Sequence, residues 1–211
     1  SSAKNSGQTV KGPNSEQGDN QDSRIPWRVV VYMISIHFLY NFGQAFFDGF
    51  FTVLCAERFG FTPAVLGPML TALACLVFFN STFMYSRVVR RFGLVPVAIL
   101  GLLLMMSGLI SLGVSTKIWA VAASMLFYAF GVPYFTPSVP TVLARSTPRR
   151  RCGFILGMDS AVSSLARIIS PIAMGLVYQM GPSTAFRTAG LVVLAGACLM
   201  TLEQARLSRT R

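Results

Sequence analysis

Apolar residues along this chain do not follow a strand or surface-helix period. They come in unbroken blocks separated by short polar turns. The blocks are Val29–Ala56, Ala64–Tyr85, Val95–Val114, Ile118–Leu143, Gly153–Met180 and Ala185–Leu202. Each is about 20–28 residues, which at about 1.5 Å per residue crosses a hydrocarbon core of about 30 Å with some tilt. Within lipid every backbone polar group must be satisfied internally, and an apolar block of this length does so as a helix. The pattern predicts an all-α polytopic membrane protein of six transmembrane helices. The turns Glu57–Pro63, Ser86–Gly93, Ser115–Lys117, Arg145–Arg151 and Gly181–Pro182 are short, so neighbouring helices run antiparallel.

Composition agrees, with 53% hydrophobic and only 12% charged residues, about half the charge fraction of a soluble domain. Residues 1–24 are mostly Ser, Asn, Gln, Gly and Lys and cannot build a core, so a disordered cytoplasmic linker is expected there. A bundle over residues 25–205 and a basic cytoplasmic tail at 206–211 complete the expected organisation. Position 1 is not Met, and we expect the chain to be part of something longer. The net charge of +11 does not point to nucleic acid, because the bases sit between apolar blocks and not on one folded face. One side of the membrane receives Lys4, Lys11, Arg24, Arg28, Arg87, Arg90, Arg91, Arg145, Arg149, Arg150, Arg151, Arg206, Arg209 and Arg211. The other receives Arg58, Lys117 and Arg187. That bias predicts that both ends of the chain are cytoplasmic. Cys55, Cys75, Cys152 and Cys198 share no short spacing, so neither a metal site nor a disulfide framework is expected.

The polar residues inside the blocks carry the chemistry. On the first helix His37, Asn41, Gln44, Asp48 and Thr52 fall within about 60° of one another at 100° per residue. Such a stripe needs either an aqueous pathway or an interhelical hydrogen-bonding seam. The fourth helix holds Gly131, Pro133, Pro137 and Pro140, which must bend or unwind it, beside Tyr128, Tyr134, Thr136, Ser138 and Thr141. The fifth sets Asp159, Ser160, Ser163, Ser164, Arg167 and Ser170 on one face. Arg167 lies too deep to snorkel and needs a partner or water. Counting about 1.5 Å per residue from Arg28 and Arg151 puts Gln44 and Arg167 about 24 Å deep and Asp48 about 30 Å. His37 and Asp159 lie at about 14 Å and 12 Å. Two polar layers are expected: Gln44 and Asp48 with Arg167, and His37 with Asp159. Histidine titrates near neutral pH when unperturbed, which makes the second layer the proton candidate. The third and sixth helices have no charge in their interiors and are expected at the lipid-facing periphery. Asn80-Ser81-Thr82 matches a glycosylation sequon but lies at the cytoplasmic end of a helix and is set aside.

Ser86-Arg87-Val88-Val89-Arg90-Arg91-Phe92-Gly93 resembles the loop motif G-x-x-x-D-R-x-G-R of the major facilitator superfamily. Arg91 and Gly93 match, while Ser86 stands at the leading Gly and Arg90 at the Asp. Gly157, Ser160, Arg167, Pro171 and Gly175 resemble the eleventh helix of its drug–proton antiporter branch, in particular tetracycline-transporter-like members with R-x-x-x-P. The Gly-x-Pro and Pro-Ser runs of the fourth helix are similar to their tenth. The resemblance spans residues 25–205 as the last six of twelve helices. It implies a preceding six-helix half in the same full-length chain and alternating access about a cavity lined by the seventh and tenth helices. It also implies a small organic solute as cargo.

From these residues we expect secondary transport of that solute, coupled to protons, with no cofactor. The expected pathway comprises His37, Asn41, Gln44, Asp48, Tyr134, Thr136, Ser138, Asp159, Ser163 and Arg167. An intramembrane hydrolase fails on inventory: one His, no G-x-S-x-G and no H-E-x-x-H. A channel would need a re-entrant loop, and no loop after residue 28 is long enough. A membrane scaffold or sensor with the same fold remains the alternative.

Overall fold

The computed structural model describes residues 27–209. The expected linker at 1–24 and the last two residues of the expected tail lie outside the described residues. Among the described residues, six helices are long and apolar enough to span a membrane: α1 (Trp27–Phe59), α2 (Pro63–Phe92), α3 (Leu94–Val114), α4 (Ile118–Ser146), α5 (Arg149–Gln179) and α6 (Pro182–Arg209). Their starts follow local chemistry. Pro63 opens α2 behind an extended Thr62, and Pro182 opens α6, positions where the missing N–H costs nothing.

Two helices depart from regular α geometry or from their expected length. The basic run 86–93, expected as a loop, forms the last turns of α2, because nothing in Tyr85–Phe92 breaks a helix. Gly93 stops it with φ 88°, a left-handed value that glycine adopts without strain. Within α2, Asn80–Met84 widens into one π turn. Helix α4 breaks between Phe135 and Ser138, so the expected interruption is present and falls at Thr136–Pro137.

Helices α3 and α4 pack most extensively, with α3 on α6 and α1 on α5 and α6 next. The α3–α4 seam is made of glycines. A Cβ added at Gly131 would stand 2.6 Å from the Met105 nitrogen and 2.8 Å from the Gly101 carbonyl oxygen. Gly131 therefore belongs to a close helix contact, the small-residue packing common in membranes, and not to the helix break. At one end of the bundle Arg58 donates to the Ser115 carbonyl (2.7 Å) and to Ser183 Oγ (2.9 Å). Beside it Tyr178 donates to Glu57 Oε2 (2.8 Å), so the end of α1 ties three neighbouring segments.

Burial redistributes the helices relative to the sequence expectation. Helices α3 and α6 are about as buried as α4, at 50%, 44% and 50% of their apolar windows, whereas α2 and α5 are buried over only 6% and 17%. Leu103 of α3 does face outward. A charge-free helix suits a protein seam as well as lipid, so apolarity alone did not separate the two.

Candidate functional site

The polar stripe of α1 divides into two halves with different surroundings. His37 and Asn41 are buried, Gln44 and Thr52 are half-buried, and Asp48 is exposed. The buried half faces α5. His37 Nδ1 lies 2.8 Å from Asp159 Oδ1, and an ionised carboxylate only accepts, so the imidazole N–H donates. Ser163 Oγ is 3.2 Å from the same nitrogen. Asn41 Nδ2 donates to the His37 carbonyl (2.9 Å) and to Ser163 Oγ (3.2 Å), using both amide hydrogens. The expected layer of His37 and Asp159 is thus in contact, with Asn41 and Ser163 completing it.

Aromatic rings close this layer. His37 stacks on Tyr40 and tilts against Phe135 of α4, both at 6.1 Å between centroids. The Thr136 hydroxyl donates to the Val132 carbonyl and so accepts from Tyr40 Oη at 2.7 Å. Thr136 therefore touches α1 directly, at the break of α4. Further along both helices, Ser170 donates to the Phe42 carbonyl at 2.6 Å, fixing α5 against α1.

The other half of the stripe opens into a cavity of about 350 Å³ between α1, α2 and α4. Gln44, Asp48 and Thr52 supply its polar wall, with Phe47 and Phe51 between them. Leu70, Leu73, Ala74 and Val77 line it from α2, and Tyr128 and Val132 from α4. Tyr128 stacks on Phe47 at 3.8 Å, and its buried hydroxyl has no hydrogen-bond partner among the described residues. Asp48 Oδ2 also lies 3.8 Å from an Arg167 terminal nitrogen, a loose pair in which both side chains are about half exposed. The expected upper layer is present as this pair, while Gln44 meets the cavity.

Tyr134 and Ser138 stand elsewhere. Both are buried where α4 breaks, outside the cavity lining. Ser138 donates to the Tyr134 carbonyl, so Tyr85 of α2 donates to Ser138 Oγ at 3.3 Å. Asn80, at the π turn, donates weakly to the Ala129 carbonyl at 3.4 Å. These bonds tie the irregular part of α2 to the irregular part of α4. Tyr40, Phe47, Phe51 and Asn80 had blended into the apolar background or a discarded sequon. Their signal is spacing: Tyr40, Phe47 and Phe51 flank the stripe within one residue of a stripe position or three of His37. The basic residues Arg87, Arg90 and Arg91 and Gly93 lie at the end of α2, away from this site.

An integral, multi-pass bundle with polar residues around an intramembrane cavity defines the class. Residues 33–210 match the Major Facilitator Superfamily, and the chain belongs to that family of transporters. It is 25% identical over 174 residues to Multidrug resistance protein 1 of Bacillus subtilis (strain 168), covering 82% of this chain and 44% of that protein. Quinolone resistance protein NorA of Staphylococcus aureus (strain COL) is 18% identical over 182 residues, with coverage of 86% and 47%. Among solved structures, the human organic anion transporter MFSD10 (TETRAN) shares the fold at a TM-score of 0.76 and 21% identity. That superposition covers 82% of this chain and 41% of the other. The chain spans less than half the length of these relatives.

Proposed function

We propose that this chain forms the C-terminal six helices of a secondary transporter. It moves a small organic solute by alternating access, with proton coupling and both ends of the segment cytoplasmic. The observation that carries the reading is the course of the α1 stripe. It runs from a sealed acid–base contact, His37 with Asp159, into a cavity edged by Asp48, whose carboxylate has Arg167 3.8 Å away. A structural seam has no reason to widen into a cavity lined by Gln44, Asp48 and Thr52. The names of the relatives, two resistance proteins and an organic anion transporter, support an organic solute. In this reading an apolar body rests between Phe47, Phe51 and Tyr128, and Asp48, Arg167 or the free Tyr128 hydroxyl meets its polar end. His37 and Asp159 carry the proton in this half, and the loop-like basic motif at Arg87, Arg90, Arg91 and Gly93 faces the cytoplasm. A preceding six-helix half supplies the opposite wall.

Uptake of a fluorescent organic solute by vesicles containing the full-length protein, with and without a pH gradient, tests this reading. Gradient-driven uptake that Asp48→Asn lowers at least tenfold is the expected result. Solute binding without flux under any gradient would instead favour the scaffold or sensor.

A further inference from the structure

The end of α2 carries three arginines that the transport reading does not use for solute. Arg87, Arg90 and Arg91 lie within five residues, and all three are exposed. Among the described residues none of them is within ion-pair distance of a carboxylate. Their helix terminus attracts cations, but Arg87 and Arg91 are four apart on one helix, where like charges repel. The turn is short of an anion.

A groove of about 150 Å³ lies beside these arginines, lined by Val88 and Phe92 of α2 and by Pro96, Val97 and Leu100 of α3. Every lining residue is apolar, and Phe92 and Leu100 are exposed large side chains. At 100° per residue from Val88, Arg91 and Arg87 stand about 60° and 100° to one flank of the groove face, and Arg90 stands about 160° away, on the far side of the turn. Arg91 reaches over the Phe92 ring at 5.8 Å, at the rim of the groove. Arg90 instead bends back, its Nε donating to the Ser86 carbonyl at 3.3 Å.

We infer that the α2–α3 corner is a binding site for one anionic phospholipid, whose phosphate sits between Arg87 and Arg91 and whose acyl chain lies in the Val88–Leu100 groove. An apolar slot ending in unpaired arginines, at the end of a membrane-spanning helix, matches the two ends of such a lipid and no wholly soluble anion. Basic pockets between transmembrane helices hold acidic headgroups in this way. Solute identity plays no part in the argument.

The test is photocrosslinking of full-length protein in phosphatidylcholine nanodiscs doped with phosphatidylserine bearing a diazirine on its acyl chain. The expected label falls on the segment Val88–Leu100 and is competed by unlabelled phosphatidylserine. Inorganic phosphate and added phosphatidylcholine should not compete. Arg87→Gln and Arg91→Gln should each lower labelling about fivefold, the scale of one basic residue at an anionic surface. Arg91→Lys should keep most of it. Arg90→Gln removes the same charge from the same turn and should leave labelling unchanged. Equal losses for all three glutamine variants would reduce the site to diffuse surface charge. Labelling indifferent to headgroup would reduce it to ordinary boundary lipid, and absence of label in the native protein would mean that the groove is covered; each of these overturns the inference.

Discussion

Two acid–base pairs join α1 to α5, and they are built in opposite ways. His37 and Asp159 meet at 2.8 Å with side chains only 10% and 6% exposed, whereas Arg167 and Asp48 stand 3.8 Å apart at 55% and 52%. The first is wrapped by Asn41, Ser163, Tyr40 and Phe135; the second stands at an open cavity. In a poorly solvated layer an unpaired polar group is costly, so that contact holds α5 in place. In the open layer water competes for both charges, and the pair gains little from its own attraction. The same two helices are thus locked at one level and open at another.

Among changes to the two pairs themselves, the largest expected effect comes from breaking the sealed one. Asp159→Ala leaves the His37 N–H without its carboxylate acceptor. We expect a loss of about 2–3 kcal/mol in unfolding free energy of the full-length protein in detergent. His37→Phe combined with Asp159→Leu should recover most of that stability, because neither partner is then left alone. The double variant should still fail in proton-driven uptake. If it transports normally, His37 and Asp159 are a seam and nothing more.

Smaller in stability, and opposite in kind, is the response of the open pair. Asp48→Asn or Arg167→Gln should change unfolding free energy by less than about 1 kcal/mol, as for exposed ion pairs, yet impair uptake. Exchanging the two charges by Asp48→Arg with Arg167→Asp should restore part of the activity that either single reversal removes. Loss of folding in the single neutral variants would show that this layer is as closed as the other.

Access should sort residues along the same line. With the native cysteines replaced, a Cys at Gln44 or Thr52 should react with a water-soluble thiol reagent at least about tenfold faster than one at Asn41 or Ser138. Reaction tracks exposure of the thiolate. Similar rates at all four positions would erase the distinction between the two halves of the stripe.

The helix count, the breaks and the pairing of polar residues by level were readable because each follows from one dimension of the chain. Block length gives a span, proline gives a break, and a constant rise gives a level. That is why His37 was matched to Asp159, although they are 122 residues apart. What the sequence withheld depends on neighbours. Gly131 looked like a helix breaker beside Pro133, and only the approach of Gly101 and Met105 shows it to be a contact. The π turn at Asn80 has no residue signature of its own, since Asn80, Ser81 and Thr82 suit many surface positions. Helices α3 and α6 had no charge to betray a buried face, and α2 no polarity to betray its exposure. Arg58 read as a loop residue, because its acceptors, Ser115 and Ser183, arrive from segments distant in sequence.

The smallest expected effect lies at the border between the two pairs. Tyr40 is fully buried, one helical turn from His37 on the way to Asp48, and its ring packs on Phe135 at 4.5 Å. Its hydroxyl donates to Thr136, whose own proton already goes to Val132. In Tyr40→Phe the ring and its packing remain, and Thr136 keeps its donation to the backbone. What disappears is one donation, from the Tyr40 hydroxyl to that of Thr136, an exposed residue. Interhelical bonds of this kind contribute about 0.6 kcal/mol on average in membranes. The unfolding free energy should therefore fall by less than about 1 kcal/mol, and uptake should persist. Tyr40→Ala removes the ring as well and should cost several times more, about 3 kcal/mol or above for a large aromatic truncated in a packed core. A Tyr40→Phe loss as large as that of Asp159→Ala would mean that the α1–α4 contact at the helix break, and not the His37–Asp159 pair, closes this level of the bundle.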